Sequence, residues 1–253
     1  MSDDRLTDAE AAVRFLEWKQ PGGPWPLTVT DPEWKTGTPT SWLKTTEQIR
    51  AFVGQHSAGK IIFYTTATQR DGVTKKPSKS DLVETRHLHV DLDPPKAIEV
   101  SAVEEWIQSA LVTVRTQTHS PPPSAIVRSG NGLHLLWELD EPFFLGGAPE
   151  RIADIEERTR ALCADFGADL STWNADRLLR LPGTANLPNA KKRGAGRAAR
   201  PATIVELHVG RVYSLADFRC QPEERRTNPR RKGGGEALLE RERLVQLGDP
   251  AEL

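Results

Sequence analysis

Two spacings of apolar residues alternate along the chain. Ala12, Phe15 and Leu16 recur at helical intervals behind an acidic first turn, which predicts a helix over DAEAAVRFLEWK. The same period predicts helices over TTEQIRAFVGQH and VEEWIQSALVTV. The strongest spans Pro149 to Phe166, where Ile152, Ile155, Leu162 and Phe166 share one stripe. KIIFYTTA and LHVDLD read as strands, rich in β-branched and aromatic residues. SAIVRSGNGLHLLWEL reads as a hairpin, with strands AIVRS and LHLLWEL about a Gly-Asn-Gly turn. TIVELHVGRVYSL closes the regular structure.

The segments between are polar or turn-rich. GGPWPLTVTDPEWKTGTPTSW reads as a loop whose tryptophans pack onto a neighbouring sheet, and QRDGVTKKPSKSD as a basic, hairpin-like loop about its D-G turn. From Gln221 a charged linker, PEERRTNPRRKGGG, leads to a short helical stretch, EALLERERLVQL, that has no core of its own.

Composition narrows the class. A chain of 253 residues can bury one substantial core, or two smaller units sharing a cleft. Its 34 basic and 35 acidic residues leave a formal net charge of -1, so any phosphate-binding surface must be local rather than global. The two cysteines, Cys163 and Cys220, form no C-x-x-C, and neither a zinc site nor a disulfide framework is expected. No apolar run is long enough to span a bilayer, and the start is unlike a secretory signal. The expected setting is soluble and cytoplasmic, with no membrane partner.

The chemistry concentrates in RHLHVDLDPP. His87 and His89 lie two apart, and so do Asp91 and Asp93, so on a strand each pair shares a face. Two carboxylates so placed can converge on a hard cation, Mg²⁺ or Mn²⁺; the plainer alternative is a strand end running into a solvated D-P-P turn. Downstream, Ser129, Gly130 and Gly132 mark a tight turn whose amides can cradle phosphate, followed by His134, a pocket residue or a satisfied structural histidine. Further on stand Asp169, then Arg177 and Arg180, either forked phosphate ligands or a surface ion-pair pattern with Asp176. KKRGAGRAAR, with Lys191, Lys192 and Arg193, is either a binding site for nucleic-acid phosphates or a solvated loop.

The order of these features resembles the archaeo-eukaryotic primase superfamily, in the primase-polymerase branch carried by mobile elements. D-x-D on a strand, S-G-x-G-x-H, and an acid followed by R-x-x-R-L-P-G-T-x-N occur in sequence between about residues 60 and 190. The resemblance implies an α/β (α+β) fold: an N-terminal α/β module, residues 1–84, packed on an RRM-like catalytic palm, residues 85–220, with the active site in the cleft between them and the linker and helix at 221–253. It implies two metal ions, Mg²⁺ or Mn²⁺, held by the catalytic residues Asp91, Asp93 and Asp169. It also implies nucleotide phosphates at His134, Arg177 and Arg180, in a pocket shaped by Ser129, Gly130 and Gly132. The implied activity is template-directed nucleotidyl transfer from a dNTP or NTP on single-stranded or primed DNA, with a helicase as a further domain or a separate partner. The chain departs from the family where relatives continue N-x-K. Here Leu187 and Pro188 follow Asn186, and Lys191 or Lys192 stand further on.

Two rivals remain. His-hydrophobic-His is also the metal motif of rolling-circle Rep endonucleases and relaxases, which need a tyrosine nucleophile on a helix. Tyr64 lies in a strand-like run and Tyr213 in VYSLADF, so neither suits that role. The second rival is a nucleic-acid-binding module that keeps the palm without catalysis.

Overall fold

A computed structural model describes residues 7–221, so the linker-and-helix expectation for the tail falls, beyond Gln221, outside the described residues. The chain runs α1 (Ala9–Lys19), β1 (Trp25–Thr30), β2 (Thr40–Leu43), α2 (Thr46–His56), β3 (Ile61–Thr65), β4 (Thr68–Gln69), β5 (Leu82–Leu92) and α3 (Val103–Thr116). It continues through β6 (Ala125–Arg128), β7 (Leu133–Phe144), α4 (Pro149–Asp165), β8 (Leu178–Arg180), β9 (Ala185–Asn186), α5 (Ala190–Gly194), β10 (Arg200–Pro201), β11 (Thr203–Leu207) and β12 (Val212–Tyr213). Short polar side chains set the starts of α1 and α2. The Asp8 carboxylate accepts the N–H groups of Glu10 and Ala11, and the Thr45 hydroxyl accepts that of Gln48.

The strands form two main sheets. The larger follows the order β11-β6-β7-β5-β4, all antiparallel, with β12 added in parallel to β7. The smaller is antiparallel in the order β2-β1-β3-β8, and β9 pairs with β10 in a short ribbon. The sheets interleave along the chain, since β8 joins the smaller sheet and β4 the larger.

Period-2 alternation divides the larger sheet between two cores. Leu88 and Val90 of β5, with Leu133, Leu135 and Trp137 of β7, face α3 and α4 and pack on Ile107, Ile152 and Ile155. Each such fully buried aliphatic side chain contributes about 1.5–3 kcal/mol over leaving it exposed. The opposite face presents Ala125, Val127 and Leu136 to α1, α2 and the inner face of the smaller sheet, where Leu27, Ile62, Tyr64 and Leu179 complete the second core. His87, His89 and Asp91 are the β5 residues on that second face, as the alternation requires.

One expected loop is a correction. The stretch from Gly22 to Trp42 contains β1 and β2, not only coil. Pro26 obscures the strand in the sequence, yet β3 pairs with β1 only from Leu27 onward, so Pro26 owes that neighbour no ladder bond. Trp25 does pack inward, its indole N–H shared between the carbonyls of Leu16 and Gln20.

Candidate active site

The β5–β7 register puts Asp91 directly opposite His134. Both side chains emerge on the second face at the end of the sheet, and Asp93 follows just beyond the last residue of β5. Gly132 makes room for it, because a Cβ there would lie 2.5 Å from Asp93 Oδ1 and 2.7 Å from the Leu92 carbonyl. Gly130 is needed for a second reason: its φ of +102° is left-handed, and a Cβ would meet the Asn186 side chain at 2.7 Å. The turn is closed by Ser129 N–H donating to the Gly132 carbonyl at 2.9 Å.

The arginines arrive from the smaller sheet. Arg180 ends β8, paired across the ladder with Phe63, and Arg177 precedes the strand. Arg177 Nη2 donates to Asp91 Oδ2 at 2.6 Å, and Arg180 Nη1 donates to the Ser129 carbonyl at 3.0 Å, which also accepts from Asn186 Nδ2. The sequence left open a surface pairing of these arginines with Asp176. Instead Asp176 accepts from Asn174 Nδ2 and faces Lys76, 3.5 Å away. The Nε of each arginine is buried without a hydrogen-bond partner, as is Nδ1 of His134. All three residues line the same cavity.

The charges are tightly linked. Burial works to raise the Asp91 carboxyl, but His134, Arg177 and Arg180 outweigh it and hold the group below its ordinary range. Burial pushes His134 itself down to about 4, so near neutrality it is an uncharged imidazole and the two arginines supply the positive field. His134 Nε2 lies 3.7 Å from Asp91 Oδ1, beyond hydrogen-bond length. Asp93 keeps an exposed face, yet its crowded surroundings and then the Asp91 charge raise its carboxyl. Two carboxylates that resist ionising together favour a bound cation. Burial also pulls Arg180 down to about 10, against the attraction of Asp91 and Asp93.

These groups line one cavity of about 930 Å³. Seven basic side chains on its wall face three acids, Asp91, Asp93 and Asp169, so the local balance is positive in a chain of net charge -1. Asp169 reaches the wall from a turn after α4. Gly167 there has a φ of +64°, and Asp169 Oδ1 accepts the Ser171 N–H at 2.9 Å. Among the described residues, no three His, Cys, Asp or Glu side chains converge as a metal cluster. Asp91 and Asp93 are the paired acids of the wall, with Asp169 on the same cavity but not drawn in beside them.

α5 brings Lys191 and Lys192 to the wall, while Arg193 turns away to the Pro188 carbonyl and to Glu33, 3.3 Å off. Ser129 and His134 also line the cavity. Neither His87 nor His89 does. His89 Nε2 is 3.1 Å from the Thr172 carbonyl, and His87 is buried edge-on to Trp18. His89 shares the Asp91 face of β5 but lies behind the wall. Tyr64 is buried in β3, and the Tyr213 hydroxyl donates to the Pro122 carbonyl at 2.6 Å. Tyr213 pairs with Leu139, five residues along β7 from His134, or roughly 17 Å of strand.

Sequence reasoning missed Trp34, Phe63, Lys76, Lys96 and Arg197 on the wall. Lys76 stood in the basic TKKPSK loop, and Phe63 in a strand whose second face had no assigned partner. Arg197 stood in the KKRGAGRAAR cluster and Trp34 in the segment whose tryptophans were expected to pack onto a sheet, without either being placed at the site, and nothing in the sequence singled out Lys96.

No protein-family model matches the sequence, and no curated protein matches it. Among solved structures, the primase-polymerase (PrimPol) AEP domain of cyanophage S-2L superposes with a TM-score of 0.54 at 19% identity, over 84% of this chain and 96% of that one. Primase RepB′ matches with a TM-score of 0.49 at 14% identity, over 84% of this chain and 59% of that one. The catalytic domain of primase RepB′ in complex with initiator DNA matches with a TM-score of 0.48 at 14% identity, over 85% and 90%. The first of these likenesses is one of fold.

Proposed function

We propose that this chain, which has the fold of an archaeo-eukaryotic primase-polymerase domain, is a template-directed nucleotidyltransferase, a DNA primase or polymerase of a mobile element or related system. The observation that carries the reading is the convergence of Asp91, Asp93, His134, Arg177 and Arg180 on one cavity. A carboxylate pair with a basic, donor-rich wall suits a reaction in which phosphate charge must be held while a hydroxyl attacks.

The 3′-hydroxyl of a primer strand, or of a first nucleotide, attacks the α-phosphate of an incoming dNTP or NTP. The new P–O bond forms as the bond to the leaving pyrophosphate breaks, and the hydroxyl proton passes to solvent. Asp91 and Asp93 would hold Mg²⁺ or Mn²⁺, with Asp169 as the further carboxylate on the cavity wall. Such ions, when bound, neutralise phosphate oxygens and make the attacking hydroxyl a better nucleophile.

The chain's own groups do the remaining work. Arg180 and Arg177 offer guanidinium N–H groups to the triphosphate. Binding there competes with the Arg177–Asp91 pair and frees a carboxylate oxygen of Asp91. His134, neutral at pH 7, donates one ring N–H without adding a charge to the crowded site. The Ser129–Gly132 turn lets a phosphate approach the backbone, and Lys191 and Lys192 extend the positive wall toward a single-stranded or primed template.

The test is incubation with labelled dNTPs or NTPs, with a primed and an unprimed template, in Mg²⁺ or Mn²⁺. The expected product is a ladder of template-complementary extension that requires the ion. A protein that binds nucleotide and DNA yet forms no phosphodiester bond under any of these conditions would support the non-catalytic module.

A further inference from the structure

Resting on the reading above, we propose that Trp34, backed by Phe63, is a nucleobase-stacking platform that holds the base of a nucleotide whose phosphates lie on Arg177 and Arg180. The smaller sheet carries the first observation. Ile62, Tyr64 and Leu179 point into the second core, so Ile61, Phe63, Leu178 and Arg180 point the other way. Ile61 and Phe63 are buried, 4% and 7% exposed, yet they belong to neither hydrophobic core; both line the cavity. An apolar wall in a site otherwise made of charges calls for an apolar part of the ligand.

Trp34 is the second observation. The residue is 53% exposed and lines the cavity, its ring 5.6 Å from the Phe63 ring at an interplanar angle of 37°. It is the only non-glycine residue with positive φ among the described residues, at 57°. That conformation is held by an organised turn. The Asp31 carbonyl accepts the Trp34 N–H at 3.0 Å, and the Asp31 carboxylate accepts the N–H groups of Glu33 and Thr36. The left-handed backbone thus holds a half-exposed indole against Phe63 and over the cavity.

The third observation joins the wall to the phosphate site. The Arg180 guanidinium lies 5.7 Å from the Phe63 ring centroid. The steps from guanidinium to Phe63 and from Phe63 to Trp34 together fall within the span of a nucleotide from phosphate to base. Glu33, next to Trp34, also accepts the Ala190 N–H at 2.6 Å and faces Arg193, so the platform loop is clasped to the start of basic α5. A planar π-face stacks on any base, so the platform selects for a base without choosing which.

The base could belong to the incoming nucleotide or to an unstacked template position, and the experiment separates them. Equilibrium binding of dATP and of inorganic tripolyphosphate, which has the phosphates but no base, is measured for wild type, Trp34→Ala and Trp34→Phe. Binding of a normal and an abasic single strand is measured beside it. Trp34→Ala is expected to lose roughly ten-fold or more of dATP affinity with tripolyphosphate unchanged, while Trp34→Phe keeps most of it. A loss confined to the normal strand, absent from the abasic one and with dATP binding unchanged, overturns the placement of the base beside phosphates on Arg177 and Arg180 and assigns Trp34 to a template base instead. Unchanged dATP and strand binding by Trp34→Ala, or equal losses for dATP and tripolyphosphate, overturns it. In that case Asp93-dependent nucleotide incorporation by the same Trp34→Ala protein shows that the nucleotidyltransferase reading still stands. A wild type that binds neither dATP nor either strand overturns both.

Discussion

Arg177 and Asp91 form the shortest ion pair on the cavity wall, at 2.6 Å, and most of both side chains is out of solvent. Removing one partner of a buried pair leaves the other charged without compensation, which costs up to about 3 kcal/mol where other cations such as Arg180 remain close. Arg177→Ala should therefore lower the melting temperature and nucleotide affinity together. Adding Asp91→Asn to it should restore much of the stability and none of the incorporation, because the orphaned charge goes but the phosphate ligand stays missing. If the double variant melts no higher than Arg177→Ala, the ion pair is not what stabilises this wall. The third acid can be tested at the same scale. Asp169 lines the cavity and Asp176 is committed to Asn174 and Lys76, so Asp169→Asn should lose most of the catalytic rate and Asp176→Asn a smaller part. The reverse ranking would move the third carboxylate to Asp176. Asp91, Asp93 and His134 were legible because period-2 spacing fixes which strand residues share a face. The partner of Arg177 was not, since an ion pair across 86 positions leaves no local trace.

At the scale of elements, β5 carries two kinds of histidine environment that titration can separate. His87 is buried against Trp18 with neither ring nitrogen hydrogen-bonded. Burial first, then the charges of Lys19 and Arg86, push its pKa well below the ordinary value of 6.5. The folded protein holds it neutral, while the unfolded chain takes up a proton below about pH 6.5. Its contribution is thus fully present above that pH and is lost as pH falls beneath it. His89 and His134, both near 4, add to the wild-type slope in the same direction. Urea unfolding at pH 7.5 and 5.5 should show a smaller loss on acidification for His87→Leu than for wild type; equal losses would mean that His87 is not held neutral. α5 makes a different prediction. With Arg193 engaged at Glu33, alanine at Lys191 and Lys192 alone should flatten the log–log salt dependence of single-strand binding by roughly 0.7 per lost contact. An unchanged slope would return this segment to a solvated surface. The helices and β3, β5, β6 and β7 were readable because each carries its period over several residues. β1 and β2 were not, because Pro26 and the surrounding Gly and Trp residues mimic a loop and only pairing with β3 reveals the strand.

Across the whole molecule, two sheets and two cores bring residues from positions 32 to 197 onto one cavity, in a chain whose overall charge is close to zero. The succession of D-x-D, S-G-x-G-x-H and the acid followed by two arginines made the site's main groups legible, because each piece sits at a strand end or a turn that the fold gathers. The aromatic wall was invisible, since Trp34 and Phe63 meet only when β3 and the loop after β1 pack together. Among the described residues no helix is long and apolar enough to cross a membrane. On the reading proposed above, Asp91 and Asp93 make this cavity a site of phosphodiester bond formation. The most direct measurement is single-nucleotide incorporation on a primed template, with Mg²⁺ or Mn²⁺, by wild type and by Asp93→Asn, alongside dATP binding by both. The account predicts template-complementary, ion-dependent incorporation by wild type and its near-complete loss in Asp93→Asn, with dATP still bound. Incorporation by Asp93→Asn at the wild-type rate would contradict it.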